Sequence, residues 1–255
     1  MMGHRGPVES ALADIPRDKW IAAIYLLPDC NMGCTFCGSE LGFDVMDPAF
    51  ARRLLEGLKT RGFTQVVLGG GEPLLWPHGL VDLARAAQEL GLLVQLCTNG
   101  TLLAGLEAEP AFDRFILPLE ALTPALHDHL RVLPGGHHAQ VVAALERLQA
   151  TGRSVSLSTV VTAENLGELP ALAEDLARRK SEGLALHAWH LYRFLPMGRE
   201  GRSHGHLATS IEAYRGAVDA ARAVDRGFPI YRRSDMLRSS SVAYLWCEGG
   251  RLRTA

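Results

Sequence analysis

At 255 residues the chain is long enough for one large α/β domain or two small ones. It is 47% hydrophobic and 21% charged with a formal net charge of −2, so there is no global positive field to draw nucleic acid or an anionic membrane. No apolar run is long enough to span a bilayer, and "MMGHRGPVESALADIPRDKW" contains no signal-type stretch; a cytoplasmic protein without membrane or nucleic-acid partners is expected.

Strand-like and helix-like segments alternate along the chain. "IAAIYLL" (21–27) predicts a first strand that runs into a cysteine-rich loop. "DPAFARRLLEGLKTRG" predicts a helix with Asp47 as N-cap, Pro48 at the first helical position and Gly62 as stop. "TQVVLGGG" predicts a second strand. "GLVDLARAAQELG" then places Leu80, Leu83, Ala84, Ala87 and Leu90 on one helical face, closed by Gly91. "LLVQLCTNG" and "RFILPLE" predict a third and a fourth strand. The helix of "HHAQVVAALERLQATG" carries Val141, Leu145 and Leu148 on one stripe. "SVSLSTVVT" predicts a fifth strand, "LGELPALAEDLARRK" a helix with Leu169, Leu172, Ala173 and Leu176 in phase, and "LALHAWHLYRF" a sixth strand. "SIEAYRGAVDAARAVDRG" predicts a last helix, followed by two strand-like pieces, "FPIYRR" and "SVAYLWCE".

Six successive βα units with apolar strands argue a parallel sheet covered by helices, open or curled into a barrel. No linker, fixed-period repeat or low-complexity tract divides the chain, so a single domain over 1–255 is expected. Its core would occupy about 20–195, with a C-terminal helix and strands within 207–255. Cys30, Gly69 to Glu72, Thr98 to Gly100, Glu120 and the loop after Phe194 all follow strands. In parallel α/β architectures the C-terminal strand ends bind ligands, so these motifs should share one face.

Three of the five cysteines fall within "CNMGCTFC": Cys30, Cys34 and Cys37. A disulfide framework wants even numbers spread through a small secreted chain, so this bunching points to metal or redox chemistry. A structural zinc site wants four ligands, and the loop supplies three thiolates and no histidine. Three thiolates suit an iron–sulfur cubane whose fourth iron stays open to a small molecule.

"CNMGCTFC" after the first strand, "GGGEPLL" (69–75) after the second and "CTNGTLL" after the third resemble the signatures of the radical S-adenosylmethionine superfamily. The resemblance runs in order from about residue 21 to 194. It implies a partial (β/α)6 TIM-type barrel with a short C-terminal extension. It also implies a [4Fe–4S] cluster on Cys30, Cys34 and Cys37, with S-adenosylmethionine chelated at the open iron. One electron would cleave that cofactor, and the 5′-deoxyadenosyl radical would abstract hydrogen from substrate. The electron would come from a partner such as flavodoxin or ferredoxin.

The resemblance also assigns roles. The backbone of Gly69, Gly70 and Gly71 would meet the methionine amino group, with Glu72 holding the loop. Phe36 matches an aromatic position near the adenine, against the alternative of a core ring. Asn99 is a cofactor candidate and equally a turn residue. Glu120 ends strand four, and Ser158 and Thr159 are polar residues in an apolar strand that would point inwards if the sheet curls. Arg131 would pair with the methionine carboxylate, or else be an exposed helix arginine. Cys97 and Cys247 read as ordinary small strand residues.

Arg193, Arg199, Arg202, His204 and His206 gather in the stretch after strand six. They suggest capture of an anionic small molecule, with a nucleotide first, against the alternative of a solvated loop. The tail "SDMLRSSSVAYLWCEGG" and "STVVTAEN" weakly resemble viperin-like members. A peptide-modifying or glycyl-radical-activating enzyme is the alternative within the family, and the few remaining cysteines count against an auxiliary cluster. Outside it stand an iron–sulfur electron carrier or redox sensor and a zinc-binding module.

Overall fold

The computed structural model describes residues 7–40, 42–235 and 238–255. Residues 1–6 of the amino-terminal stretch, and Met236 and Leu237 of the tail segment, lie outside the described residues. The strands are β1 (Ile21–Tyr25), β2 (Gln65–Gly69), β3 (Leu93–Cys97), β4 (Arg114–Pro118), β5 (Val155–Val161), β6 (Leu186–Arg193), β7 (Ile230–Arg233), β8 (Val242–Glu248) and β9 (Arg251–Thr254). They interleave with α1 (Pro7–Ala13), α2 (Pro48–Thr60), α3 (Leu80–Glu89), α4 (Pro124–Leu130), α5 (His138–Ala150), α6 (Leu169–Ser181), α7 (Gly198–Gly201) and α8 (Ile211–Ala223).

All nine strands form one sheet in the order β7-β6-β5-β4-β3-β2-β1-β8-β9. Every neighbour pair from β7 to β8 is parallel, and only β8–β9 is antiparallel. The C-terminal strands therefore extend the sheet at both edges, β7 beside β6 and β8 beside β1. β9, α1 and α7 were not anticipated, and α4 only through the reading of Arg131 as a helix residue. β9 is a short edge strand with only Leu252 buried, and α4 is too short to show a clear helical stripe.

The register assigns each strand residue to a face, because paired residues point the same way and neighbours along a strand alternate. Ala22, Ile24, Val66, Leu68, Val94, Leu96, Phe115, Leu117 and Leu157 all point towards the helices and are fully buried. Leu54, Leu55 and Leu58 of α2, Leu83 and Ala84 of α3, Val141 and Leu145 of α5, and Leu172 and Leu176 of α6 close over them in one continuous core. Each such leucine or valine contributes about 1.5–3 kcal/mol on burial. The opposite face carries Tyr25, Gln95, Cys97, Ser158, His190 and Tyr192.

That second face is concave. Tyr192 on β6 and Tyr244 on β8 stand six strands apart in the sheet order. In a flat sheet they would lie roughly 29 Å apart, at ~4.8 Å per strand. Their hydroxyls nevertheless feel one another electrostatically, and Tyr25 feels both. At the C-terminal mouth the stretch after β6 touches the loop after β1: Arg199 N donates to Ser39 O at 3.0 Å. The architecture is a partial TIM-type barrel, polar inside and apolar beneath its helices.

Local chemistry sets the helix ends as expected. The Asp47 carboxylate accepts from Phe50 N at 2.9 Å, Pro48 starts α2, and Gly62 follows in the left-handed region at φ 89°. Asp47→Ala should cost about 0.5–2 kcal/mol of stability, the range for losing an N-cap, measured by urea titration of the full chain. The iron content of the reconstituted protein should not change.

Candidate functional site

Cys30, Cys34 and Cys37 lie in the loop after β1, at the mouth of the barrel. Backbone bonds brace this loop on two sides. Gly33 N and Thr35 N donate to Val132 O and Leu130 O, both at 3.0 Å, and Gly201 N donates to Cys37 O at 3.3 Å. Gly198 sits so close to Gly38 that an added Cβ would approach its backbone to 2.3 Å.

Each thiol is met by N–H groups from another part of the barrel. Asn99 Nδ2 lies 3.9 Å from Cys30 Sγ, and Arg131 Nη1 lies 3.7 Å from Cys34 Sγ. Arg199 faces Cys37 and Cys30; burial lowers its affinity for a proton, and the two sulfurs raise it by more. Burial pushes the Cys34 thiol up to about 11, with Arg131 opposing. Metal binding there must displace a proton. Among the described residues no three His, Cys, Asp or Glu side chains converge on one ion. A cubane does not ask for that, since each thiolate takes a separate iron. Three thiols in one loop, ringed by N–H donors, fit a negatively charged cluster held by three thiolates.

The glycine loop after β2 is locked to the strand that feeds the cysteines. Gly71 N donates to Leu27 O at 2.7 Å and Glu72 N to Asp29 O at 2.8 Å. A Cβ on Gly71 would lie 1.9 Å from Asp29 O, and Gly70 holds φ +137°. Glycine is required here by the close approach of two backbones. Gly69 ends β2 beside Cys97. Glu72 is fully buried; its carboxylate accepts from Thr98 Oγ1 at 2.7 Å, Asn99 N at 2.8 Å and Leu74 N at 3.1 Å. Burial pushes this carboxyl up and those bonds pull it back. The β2 and β3 loops thus share one buried carboxylate. Asn99 does two jobs: its Oδ1 accepts from Thr101 N at 2.9 Å as a turn residue, while Nδ2 reaches Asn31 Oδ1 at 2.8 Å and Cys30.

Arg131 is no exposed helix arginine. It follows α4 with only 14% of its side chain exposed, and its Nε and Nη2 reach Glu120 Oε1 at 2.8 and 2.7 Å. Glu120 is fully buried, and its Oε2 accepts from Val160 N at 2.6 Å. Burial pushes Glu120 up and Arg131 pulls it back; with three N–H donors on its oxygens we read the pair as ionised. Phe36 is buried with Met32, Cys34, Leu130 and Phe194, with the Arg131 guanidinium 5.1 Å above its ring.

Sequence reasoning missed a buried histidine pair in the same wall. Glu120 N donates to His127 Nδ1 at 3.1 Å, His127 Nε2 meets His137 Nδ1 at 2.8 Å, and His137 Nε2 meets Asn99 O at 2.8 Å. A backbone N–H at one end and a carbonyl at the other fix both rings as neutral Nε2–H tautomers. Burial above all pushes His127 down to about 2 and His137 to about 4. The only signal was "ALHDHLRVLPGGHH", whose histidines have no helical phase in common.

Ser158 and Thr159 cannot both face inwards, because strand neighbours alternate. Ser158 shares the concave face with its partner His190, whereas Thr159 is buried on the helix side, where it accepts from Trp189 Nε1 at 2.8 Å. Cys97 is not a buried apolar filler. Its side chain opens into the barrel lumen, where desolvation within the barrel, then Glu72, push the thiol up to about 11 against Arg131. Cys247 is the buried strand residue expected, next to Asp44.

The arginines after β6 do not converge. Arg193 donates to Ser234 O at 3.2 Å from the helix-side register, and Arg202 pairs with Glu40 at the surface. Of the three, Arg199 is the one that faces the cysteines, and it also donates to Pro28 O at 3.3 Å. His206 is largely exposed, and His204 bonds to Glu200 O.

Fold and site together define a class: a partial β/α barrel carrying a three-thiol loop, a glycine loop and a shared buried carboxylate at its mouth. The chain belongs to the Radical SAM superfamily, which it matches over residues 24–176. Membership implies S-adenosylmethionine and a [4Fe–4S] cluster as cofactors. The chain is 28% identical over 191 residues to an AdoMet-dependent heme synthase of Oleidesulfovibrio alaskensis, covering 72% of this chain and 47% of that protein. It is 32% identical over 173 residues to a PqqA peptide cyclase of Ruegeria pomeroyi, covering 63% and 46%. The fold matches Streptococcus suis SuiB bound to S-adenosylmethionine with TM-score 0.69 and 14% identity, over 89% of this chain and 58% of that one. The chain thus spans about half the length of these curated relatives. No helix among the described residues is long and apolar enough to cross a membrane.

Gly71→Ala should disrupt the junction of the two loops and lower the iron retained after reconstitution. Gly33→Ala, where no atom lies within 4 Å of the added Cβ, should retain iron as the wild type does. The histidine pair makes a second test. Both folded-state values lie below the ordinary 6.5, so their stabilisation is complete above that pH and declines as pH falls towards 4. Urea titrations between pH 7 and 4 should show a loss of up to about 1.4 kcal/mol per pH unit for each histidine. The loss should shrink in His137→Gln; equal slopes in both proteins would contradict the assignment.

Proposed function

We propose that this chain holds a [4Fe–4S] cluster on Cys30, Cys34 and Cys37 and acts as a radical S-adenosylmethionine enzyme on an anionic small molecule. The observation that carries this reading is the ring of N–H donors, from Asn99, Arg131 and Arg199, around three thiols at the mouth of the barrel. When bound, the cluster and S-adenosylmethionine supply one-electron reductive cleavage and hydrogen abstraction by a carbon radical.

The chain's own residues do the rest. Arg131 and Asn99 offset the negative charge that three thiolates bring. Gly69, Gly70 and Gly71 bring backbone close to the methionine end of the cofactor, and Glu72 keeps the β2 and β3 loops in register. Glu120 holds Arg131, and Ser158 presents a hydroxyl to the lumen. Arg199 closes the cysteine loop from the far side of the barrel and limits access of water and oxygen. With Arg193 and Arg202 turned elsewhere, the support for a nucleotide weakens, while an anionic substrate remains the reading. Flavodoxin or ferredoxin is the proposed reductant. The peptide cyclase relative favours a second reading, action on a peptide, for which the enzyme would require the anion as a side chain.

Anaerobic reconstitution should give about four irons and four sulfides per chain. Cys30→Ala, Cys34→Ala and Cys37→Ala should each abolish the cluster, and Cys97→Ala and Cys247→Ala should keep it. With dithionite the protein should convert S-adenosylmethionine into 5′-deoxyadenosine and methionine. A colourless zinc protein would refute the cluster, and an intact cluster whose spectrum ignores S-adenosylmethionine would make the chain an electron carrier.

A further inference from the structure

Half-buried on the β6–β7 side of the barrel lies an arginine with no acidic partner among the described residues. Arg233 ends β7 on the concave face, paired in register with Tyr192. Its guanidinium lies 5.2 Å from the centre of the Tyr231 ring. Its Nε and Nη2 are both 3.4 Å from His190 Nδ1, two long contacts to a single acceptor. Among the described residues no carboxylate pairs with it, although fourteen other arginine or histidine pairings with acids occur elsewhere on the surface and in the core. The same fork, Nε with Nη2, is the edge that matches a carboxylate with two parallel bonds.

The surroundings add donors and flat aromatic walls, and a second guanidinium, Arg114 of β4, acts on both His190 and Tyr231 from the same face. His190 stacks on Tyr231 at 5.1 Å and 24°. Burial first, then Arg233, push it down to about 3, so it stays neutral. Beside Arg233 stands Tyr192, and across the lumen Tyr25 and Tyr244; the three are within electrostatic reach of one another, with Tyr192 and Tyr244 also in reach of Arg233. None of these three hydroxyls has a hydrogen-bond partner among the described residues. Burial pushes all three phenols up, so they act as neutral donors. All four residues are half-buried, so their free donors are open to a ligand that enters the lumen.

We infer that Arg233, with Tyr192, Tyr244 and the Tyr231–His190 wall, forms a lumen subsite for the carboxylate of a small, partly aromatic or planar monoanion. The planar fork of Arg233, the phenol donors and a neutral imidazole match a flat carboxylate. The subsite deepens the small-anion reading above and rests on it.

The test is direct binding to the full chain without cluster or S-adenosylmethionine, followed by tryptophan fluorescence and calorimetry. The probes are benzoate, phenylacetate and 3-(4-hydroxyphenyl)propionate, with benzamide and phenyl phosphate as comparators. At least one carboxylate should bind at millimolar concentration or below, more tightly than the amide and the phosphate. Arg233→Gln should weaken it about tenfold or more, with Arg233→Lys recovering part of the loss. The near-isosteric Tyr192→Phe with Tyr244→Phe should weaken it with the fold intact by circular dichroism, and Arg251→Gln on the edge strand should change nothing. No carboxylate binding, equal binding of amide and acid, tighter binding of the phosphate, or indifference to Arg233→Gln would each overturn the subsite. Uncoupled 5′-deoxyadenosine formation, measured on the reconstituted chain, reports separately on the cofactor reading. Its loss with carboxylate binding intact would sink that reading and not the subsite.

Discussion

The Glu120–Arg131 ion pair is the interaction on which the mouth of the barrel depends. Two charges taken out of water cost several kcal/mol each unless their geometry and remaining hydrogen bonds are complete. Here they are: one carboxylate oxygen takes both guanidinium bonds and the other takes Val160 N–H. The pair therefore has little freedom, and it fixes what it touches. Arg131 lies over Phe36 and reaches Cys34. Glu120's own backbone begins the histidine relay that ends on Asn99 O, next to Cys30. Two of the three thiols are thus tied to one buried charge pair by separate routes.

The two faces of the sheet divide the labour. The helix side is close-packed leucine, valine and alanine, and it holds the strands in place. The concave side gives up that apolar burial and keeps tyrosines, a thiol, a histidine and an arginine instead. A sheet with one polar face is stable only where something else covers that face. Curling supplies the cover, by bringing β6 and β7 opposite β1 and β8.

Much of this was legible in the sequence, for identifiable reasons. The helical stripes of α3, α5 and α6 and the Asp47–Pro48 start of α2 are local patterns, and the structure places them as read. The three motif loops follow strands because a βα order leaves no other place for them. What was not legible depends on contacts between distant residues. Whether Arg131 was exposed or buried turned on Glu120 eleven positions earlier. Ser158 and Thr159 looked equivalent until register assigned them to opposite faces. The clustered arginines after β6 looked like one site because proximity in sequence says nothing about direction in a loop. Arg233 was invisible for the converse reason, since "IYRR" is an unremarkable strand end until β7 is known to border the lumen.

The contact between Gly198 and Gly38 has a temporal side. The cysteine loop leaves the ribosome before its lid, and about 160 residues separate Cys37 from the segment that closes over it. At ~5–20 residues per second, roughly 10–30 s of synthesis pass before that lid exists. The partner strand β8, whose Ser241 neighbour receives Trp20 and Ile21 N–H, comes later still. Throughout that interval the thiols are accessible from a side that the finished protein seals. The nascent chain thus has a window in which iron and sulfide can be delivered to the loop before the barrel shuts.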